Sequence, residues 1–490
     1  MGGPCRGCSG RGGLSRRDFL ARLPLIPAAA QLAAQAFFEE ALAAEERKSL
    51  IPQARDTSVR VVFLRLRGDS RSWPGGFWDP EAHRKKYTAD LQAVARQLGI
   101  NITFEQEPVY DKAGAAKVAE KLNAQRPDGT VLVLLHRRVW GAVEPFTASG
   151  IPTIIYAPMG TAFHTNFSAP SRLVGVYGVS SIAGMNSVRF GLKMLKAMRQ
   201  MREAKIVVLR GTKTRDSEMP GFGTKVRTLP RGYFVEVFNK IQPTEEIRRA
   251  AAEYAARARE VVLVSEDDIL FAYRTYVTAR KILEDEGGNA ITMDCLGNIG
   301  PLGGVPCVGW SLLLDEGVPA ACEADMNAML AHMLVEYLFD RPGFQQDPVP
   351  DTETNLFIGS HCMCATKLRG IDKPSEPFIL RPHHWYRKTD KRIGVGVQVL
   401  WREGQMITIV DFEGPSRLLI GRGRVVGNLT TGIGSASPPI GGCCNNVVAR
   451  IYGHANVRDC RGFHQLLFYG DHYQQLRDFC QLFGLEWVHI

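Results

Sequence analysis

The sequence is short of the features that usually announce a function. After the first forty residues or so, no apolar run approaches the roughly 20 positions that a membrane-spanning helix needs, so no stable membrane insertion is expected. The net charge is +10, of which residues 1–43 supply +2, and no basic block with interleaved aromatics concentrates it. That excludes the usual electrostatic footprint of a nucleic-acid binder and leaves a mildly basic, solvated surface. There is no HExxH pair, hence no zinc-protease signature. Gly211-Thr212-Lys213-Thr214 lacks the full spacing of a phosphate-binding loop, which argues against a nucleotide enzyme. The only CxxC pair, Cys5 and Cys8, lies at the extreme N-terminus. Nine cysteines follow it, and Cys362/Cys364 and Cys443/Cys444 stand too close for an ordinary disulfide framework. Most are read as small buried hydrophobes.

What is present first is a leader. Ser15-Arg16-Arg17-Asp18-Phe19-Leu20 is a twin-arginine pattern, followed by a moderately apolar run to Phe38 and a small-residue cleavage motif at Ala41-Leu42-Ala43. This order predicts export by the Tat pathway to the periplasm or beyond, with removal of residues 1–43; an unread basic tail on a cytoplasmic protein is the alternative.

The chain that follows is long enough for two or three domains. Its periodicity predicts strands over 59–66, 100–104, 131–135 and 151–155, with helices over 80–98 and 112–123 between them. Alternation of this kind makes a parallel sheet with crossover helices, here an N-terminal α/β domain over 55–175. A loop carrying Trp73-Pro74-Gly75-Gly76 follows its first strand. A second α/β domain is expected over 176–370, with helices over 181–201, 244–257 and 266–285 and strands over 204–209, 233–237, 261–264 and 290–293. After Pro374 the pattern turns to short strands over 392–400, 405–412, 416–424, 447–452 and 463–469, with a Gly/Ser/Pro-rich connection from Thr430 to Asn446. This predicts a C-terminal antiparallel β-barrel domain over 371–490, ending in a helix capped by Asp471. The fold class is therefore α/β: two Rossmann-like parallel-sheet domains followed by a barrel.

The chemistry gathers between Gly317 and Cys362. Glu323 and Asp325 open a helix read over 318–339, with an apolar stripe at Met326, Leu330, Met333 and Tyr337. Asp347, Asp351 and Glu353 follow in a loop, and Gly359-Ser360-His361-Cys362 closes the unit. Either of the first two acids alone suits a helix N-terminus. Several acids and a histidine gathered by one helix and one loop are what a divalent cation needs. His361 and His464 taken singly read as a core histidine and a half-buried sheet residue; Asp294, His383, His384, His454 and His472 read as strand-end, turn or surface groups.

The order of domains, and several short phrases, resemble the L-fucose isomerase and L-arabinose isomerase group over roughly 55–490. The phrases are Pro306-Cys307, Asp315-Glu316-Gly317, Ala321-Cys322-Glu323-Ala324-Asp325, Asn355 through Gly359-Ser360-His361-Cys362, and Phe463-His464 with Phe468-Tyr469-Gly470-Asp471. Pro348-Val349-Pro350 stands where fucose isomerase carries Trp-Asn-Asn. The resemblance implies a metal-dependent ketol isomerase that interconverts an aldose and a ketose through an ene-diol. It implies Glu323 and Asp347 as the catalytic carboxylates, with Asp351 a rival for the second. It implies His464 and His361 as further metal ligands, Mn2+ as cofactor, a small sugar as substrate and a homo-oligomer, a trimer or hexamer. Asp325 is a further candidate acid. The alternatives are a non-catalytic sugar-binding protein on the same scaffold, or another metal-dependent sugar-processing enzyme.

Overall fold

The computed structural model describes residues 49–490 except 69, 72–76, 183, 384–393, 430–442 and 454–455. The leader, the tryptophan loop at 73–76, His384, most of the Gly/Ser/Pro-rich connection and His454 lie outside the described residues. The chain divides at Ser49, and Leu50–Ile490 forms one unit.

The first sheet is built from β1 (Ser58–Leu64), α1 (Pro80–Leu98), β2 (Asn101–Phe104), α2 (Lys112–Gln125), β3 (Gly129–Leu134), β4 (Thr153–Pro158) and β5 (Val176–Ser181). Its order is β2-β1-β3-β4-β5, parallel throughout. β3 and β4 are buried along their whole length, which is why they read as continuous apolar runs and not as alternating ones. α1 starts at Asp79, whose carboxylate accepts from Glu81 and Ala82 N–H, and ends at left-handed Gly99. Because β5 pairs with β4, this sheet extends beyond residue 175.

The second sheet follows α3 (Asn186–Glu203). It comprises β6 (Lys205–Leu209), β7 (Arg215–Glu218), β8 (Lys225–Leu229), then α4 (Tyr233–Lys240), α5 (Glu245–Ala256), α6 (Glu266–Glu286), β9 (Ala290–Met293), α7 (Cys295–Leu302), α8 (Cys307–Asp315) and β10 (Ala320–Cys322). The order is β10-β9-β6-β8-β7, parallel except for the edge strand β7. The window at 233–237 is a helix, not a strand: Phe234, Val237 and Phe238 are buried at helical spacing. A five-residue apolar run fits either period, and packing decides it.

α9 (Met326–Phe339) is the central helix. The expected stripe is absent, because Ala328 to Phe339 are all buried. The expected helical start at 318 is replaced by β10 and a turn. Next come β11 (Phe344–Asp351), β12 (Leu356–His361), β13 (Phe378–Pro382), β14 (Val395–Val399), β15 (Met406–Phe412), β16 (Arg417–Asn428), β17 (Asn445–Tyr452), β18 (Gln465–Tyr469), α10 (Tyr473–Phe483) and β19 (Glu486–His489). Six of these strands close an antiparallel barrel in the order β15-β18-β11-β12-β17-β16, with β16 pairing back to β15.

Two barrel strands, β11 and β12, thus come from before residue 371, and residues 344–351 are a strand and not the expected loop. The prolines explain the misreading. β11 pairs with β18 only over Phe344–Gln346, and Pro348 and Pro350 lie beyond it with a neighbour on one side, where a missing N–H is tolerated. α10 starts after His472 without a side-chain cap; Asp471 instead faces Arg422 at 3.3 Å.

Candidate metal centre

Strand β10 delivers the first acid. The Trp310 indole donates to the Ala321 carbonyl at 2.8 Å, and Gln345 Oε1 accepts from Cys322 N–H at 2.8 Å. The chain then turns through Glu323 (φ 62°) and Ala324 (φ 55°), both left-handed without being glycine. Such residues cost roughly 1–2 kcal/mol each and persist only where the surroundings over-determine them. Here the Ala324 N–H donates to the Met293 carbonyl at 3.0 Å and the Asp325 N–H to the Cys322 carbonyl at 3.2 Å. Glu323 therefore precedes the helix instead of sitting in its first turn.

Asp325 is the N-cap of α9: its carboxylate accepts from Asn327 N–H at 2.8 Å and Ala328 N–H at 3.1 Å. Its second oxygen lies 2.9 Å from His464 Nδ1. His464 comes just before β18 in a left-handed conformation, φ 55°, and is 3% exposed. With Nδ1 held by Asp325, Nε2 is the working edge. It stands 3.4 Å from Glu323 Oε2 and 3.3 Å from Asp347 Oδ1. His361 ends β12, is buried, and brings Nε2 to 3.8 Å from Glu323 Oε1. The two imidazole rings are 5.7 Å apart, centroid to centroid.

Glu323, His361 and His464 each offer a ligand atom within 4.8 Å of the others. Two donors on one ion at about 2.1 Å can stand at most about 4.2 Å apart, so the 3.4 and 3.8 Å separations fit a shared cation. The orphaned atoms agree. Both nitrogens of His361 are buried without a hydrogen-bond partner among the described residues, which buried polar atoms rarely tolerate, and His464 Nε2 meets only the Asp347 and Glu323 carboxylates, at 3.3 and 3.4 Å. The donor set is carboxylate and imidazole, and burial, then the Glu323 charge, pushes the nearby Cys295 thiol up to about 12. The group can hold a divalent metal.

The electrostatics point the same way. Burial pulls His464 down, but its bonds to Asp325, Asp347 and Glu323 outweigh that and lift it to about 11. Burial pushes Asp325 and Asp347 up, yet hydrogen bonding to His464 leaves both below the usual carboxylate range. Burial keeps His361 below its ordinary value despite Asp347 and Glu323. Three carboxylates against one imidazolium leave an excess negative charge beside a buried wall, which a dication offsets.

Of the candidates read from sequence, Glu323, His361 and His464 meet at one point, and Asp347 stands at its edge. Asp351 does not: it lies four residues further along β11, about 13 Å at strand rise, and caps its own turn through Glu353 and Thr354 N–H at 3.1 and 3.3 Å. Asp325 takes the outer position, orienting His464 as a carboxylate behind a ligating imidazole does. Asp411 on β15 was missed. It is 3% exposed, and burial followed by the charge of Asp325 pushes it up to about 7. An acid at the inner end of Ile407-Thr408-Ile409-Val410 was the available signal. Gln345, which pins β10 and shares a strand face with Asp347, was also missed. Phe463, 62% exposed, stands at the mouth beside His464.

No family model matches the chain. No curated protein matches it. Among solved structures it is similar to the crystal structure of an ABC transporter periplasmic solute-binding protein from Actinobacillus succinogenes 130z with bound D-allose, at 13% identity and a TM-score of 0.18. That match covers 58% of this chain and 92% of the other. A likeness so slight bears on neither ligand nor activity. No helix among the described residues is long and apolar enough to cross a membrane.

Proposed function

We propose that this chain is a metal-dependent aldose–ketose isomerase of the L-fucose/L-arabinose isomerase type, using Mn2+ and an open-chain sugar. One observation carries the reading: Glu323, His361 and His464 arrive from separate segments and bring ligand atoms within 4.8 Å of one another, with Asp347 3.3 Å from His464 Nε2. A divalent cation held there supplies a Lewis acid for the oxygens on C1 and C2 of the sugar. Glu323 and Asp347 divide the proton work. One accepts the proton leaving C2, the other gives a proton to C1, and the hydroxyl proton passes from O2 to O1, so the sugar's composition is unchanged. Both carboxylates are only partly covered, 28% and 37% exposed at the side chain, so a sugar can reach them. Asp325 holds His464 in the tautomer that leaves Nε2 toward the cation, and His361 walls the opposite side. Arg16-Arg17 supports export of the chain already folded and metal-loaded, and the family resemblance brings a trimer or hexamer with it.

The test is turnover of a panel of aldoses by the full chain with and without Mn2+. The reading expects a ketose product that requires the metal, and loss of at least ~100-fold in kcat for Glu323→Gln. Tight sugar binding with no product from any aldose marks a sugar-binding protein instead. Release of water or of a fragment marks a different sugar-processing enzyme.

A further inference from the structure

A second concave site lies away from the metal centre. It is a cleft of about 200 Å3 between α3 and the far end of α9, closed by the C-terminus of α1. Eleven residues separate Asp325 from Glu336 on α9, so the two sites are about 16 Å apart at helical rise. Three cations face the cleft from one side of α3: Arg189, Lys193 and Lys196, at spacings of four and three residues. Like charges at that spacing repel each other on a helix. Among the described residues Lys193 is the one of the three in an ion pair, with Asp340. Lys196 donates to the Leu98 carbonyl at 2.7 Å, and Arg189 makes no ion pair among the described residues.

The acid that could neutralise this wall does not. Glu336 lines the cleft, is 4% exposed, and neither carboxyl oxygen has a hydrogen-bond partner among the described residues. Burial, reinforced by the charge of Asp315, pushes its carboxyl well above the usual range. The hydroxyl of Tyr337 beside it, 3% exposed, is also unpartnered. The cleft thus sets Arg189 and Lys196, which make no ion pair among the described residues, over the unpartnered oxygens of Glu336 and Tyr337, with Asp340 the acid paired to Lys193 at its edge. Burial and Lys193 pull Lys196 below its ordinary value against the pull of Asp340, as expected where a further counter-charge is missing.

We infer that this cleft is a binding site for a small dianion of the phosphate-monoester or dicarboxylate class, its charge taken by Arg189 and Lys196 and a remaining oxygen by the Tyr337 hydroxyl. The inference is independent of the isomerase reading.

Calorimetric titration of the full chain, with chelator present to keep the metal centre out of the signal, tests it. Inorganic phosphate and succinate serve as separate titrants, and the tighter one names the class. The expected result is one saturable site whose affinity falls with added salt. Arg189→Gln and Lys196→Gln are each expected to weaken it about tenfold, Glu336→Gln to change it little, and Lys85→Gln on the exposed face of α1 not at all. Arg189 is on the surface, so its variant folds, and the melting curve of each variant checks this. Absence of saturable binding by both titrants overturns the proposal. So does unchanged affinity in the Arg189→Gln/Lys196→Gln double variant.

Discussion

Replacing Asp325 separates its two jobs. The side chain caps α9 through two backbone N–H groups and holds His464 Nδ1 at 2.9 Å. Asn is as good an N-cap as Asp, so Asp325→Asn keeps the helix start, but its single amide oxygen is then spent on the cap and its NH2 group, a donor, replaces the oxygen that faces His464 Nδ1. What it loses is the whole charge-assisted bond to the imidazole, about 1.5–3 kcal/mol. Asp325→Ala loses the cap as well, about 1 kcal/mol, together with the whole bond, for a total of about 3 kcal/mol. Metal binding is expected to fall as well in the Asn variant, because outer carboxylates of this kind hold about 10–100-fold in metal affinity. Urea unfolding of the metal-free chain gives the first quantity, and Mn2+ titration gives the second. If Asp325→Asn binds Mn2+ as tightly as the parent chain, Asp325 does not orient a ligand and the assignment of His464 fails.

Three further outcomes follow from the same geometry. In the metal-free chain His464 is raised from 6.5 to about 11, so the stability it contributes is fully present below pH 6.5 and is lost as pH climbs toward 11. At neutral pH the proton must leave before Nε2 can ligate, so Mn2+ uptake is expected to release about one proton and to tighten with rising pH; calorimetry in buffers of different ionisation enthalpy reads this, and equal heats refute it. Asp347→Asn is expected to weaken Mn2+ binding about tenfold or more, and Asp351→Asn to leave it unchanged because Asp351 serves only its own turn; equal losses in parallel titrations contradict the strand register. Ala324→Gly is expected to stabilise the metal-free chain by about 1 kcal/mol by relieving a left-handed alanine, visible as a higher urea midpoint.

Much of the layout is readable because burial writes itself into composition. Strands covered on both faces, such as Val131–Leu134 and Ile154–Ala157, are unbroken apolar runs, and the strand Ala290–Met293 is bounded as the sequence predicts. The neighbourhood of Glu323, His361 and His464 was legible through short phrases. Whether Asp347 or Asp351 belongs beside them was not, since it rests on which residue of β11 stands opposite Ser360, a register two prolines conceal. The part played by Asp325 was hidden for another reason: its partner His464 is 139 residues away, and nothing local distinguishes a cap from a cap that also holds an imidazole. The all-round burial of α9 was read as a stripe because His332 and Glu336, polar residues that break the apolar run, are themselves buried.

The interleaving of the barrel sets a condition on biosynthesis. Two of its staves are translated ahead of the Phe378–Val399 hairpin and the other four after it, with His464 on the doorstep of the last to join. A ribosome that has emitted the first 450 residues has released Glu323, Asp347 and His361 but no means of completing their circle. The Glu323, His361 and His464 group is therefore complete only once residue 464 has been added, and a fragment cut at residue 370 would carry away two staves and strand the remaining four.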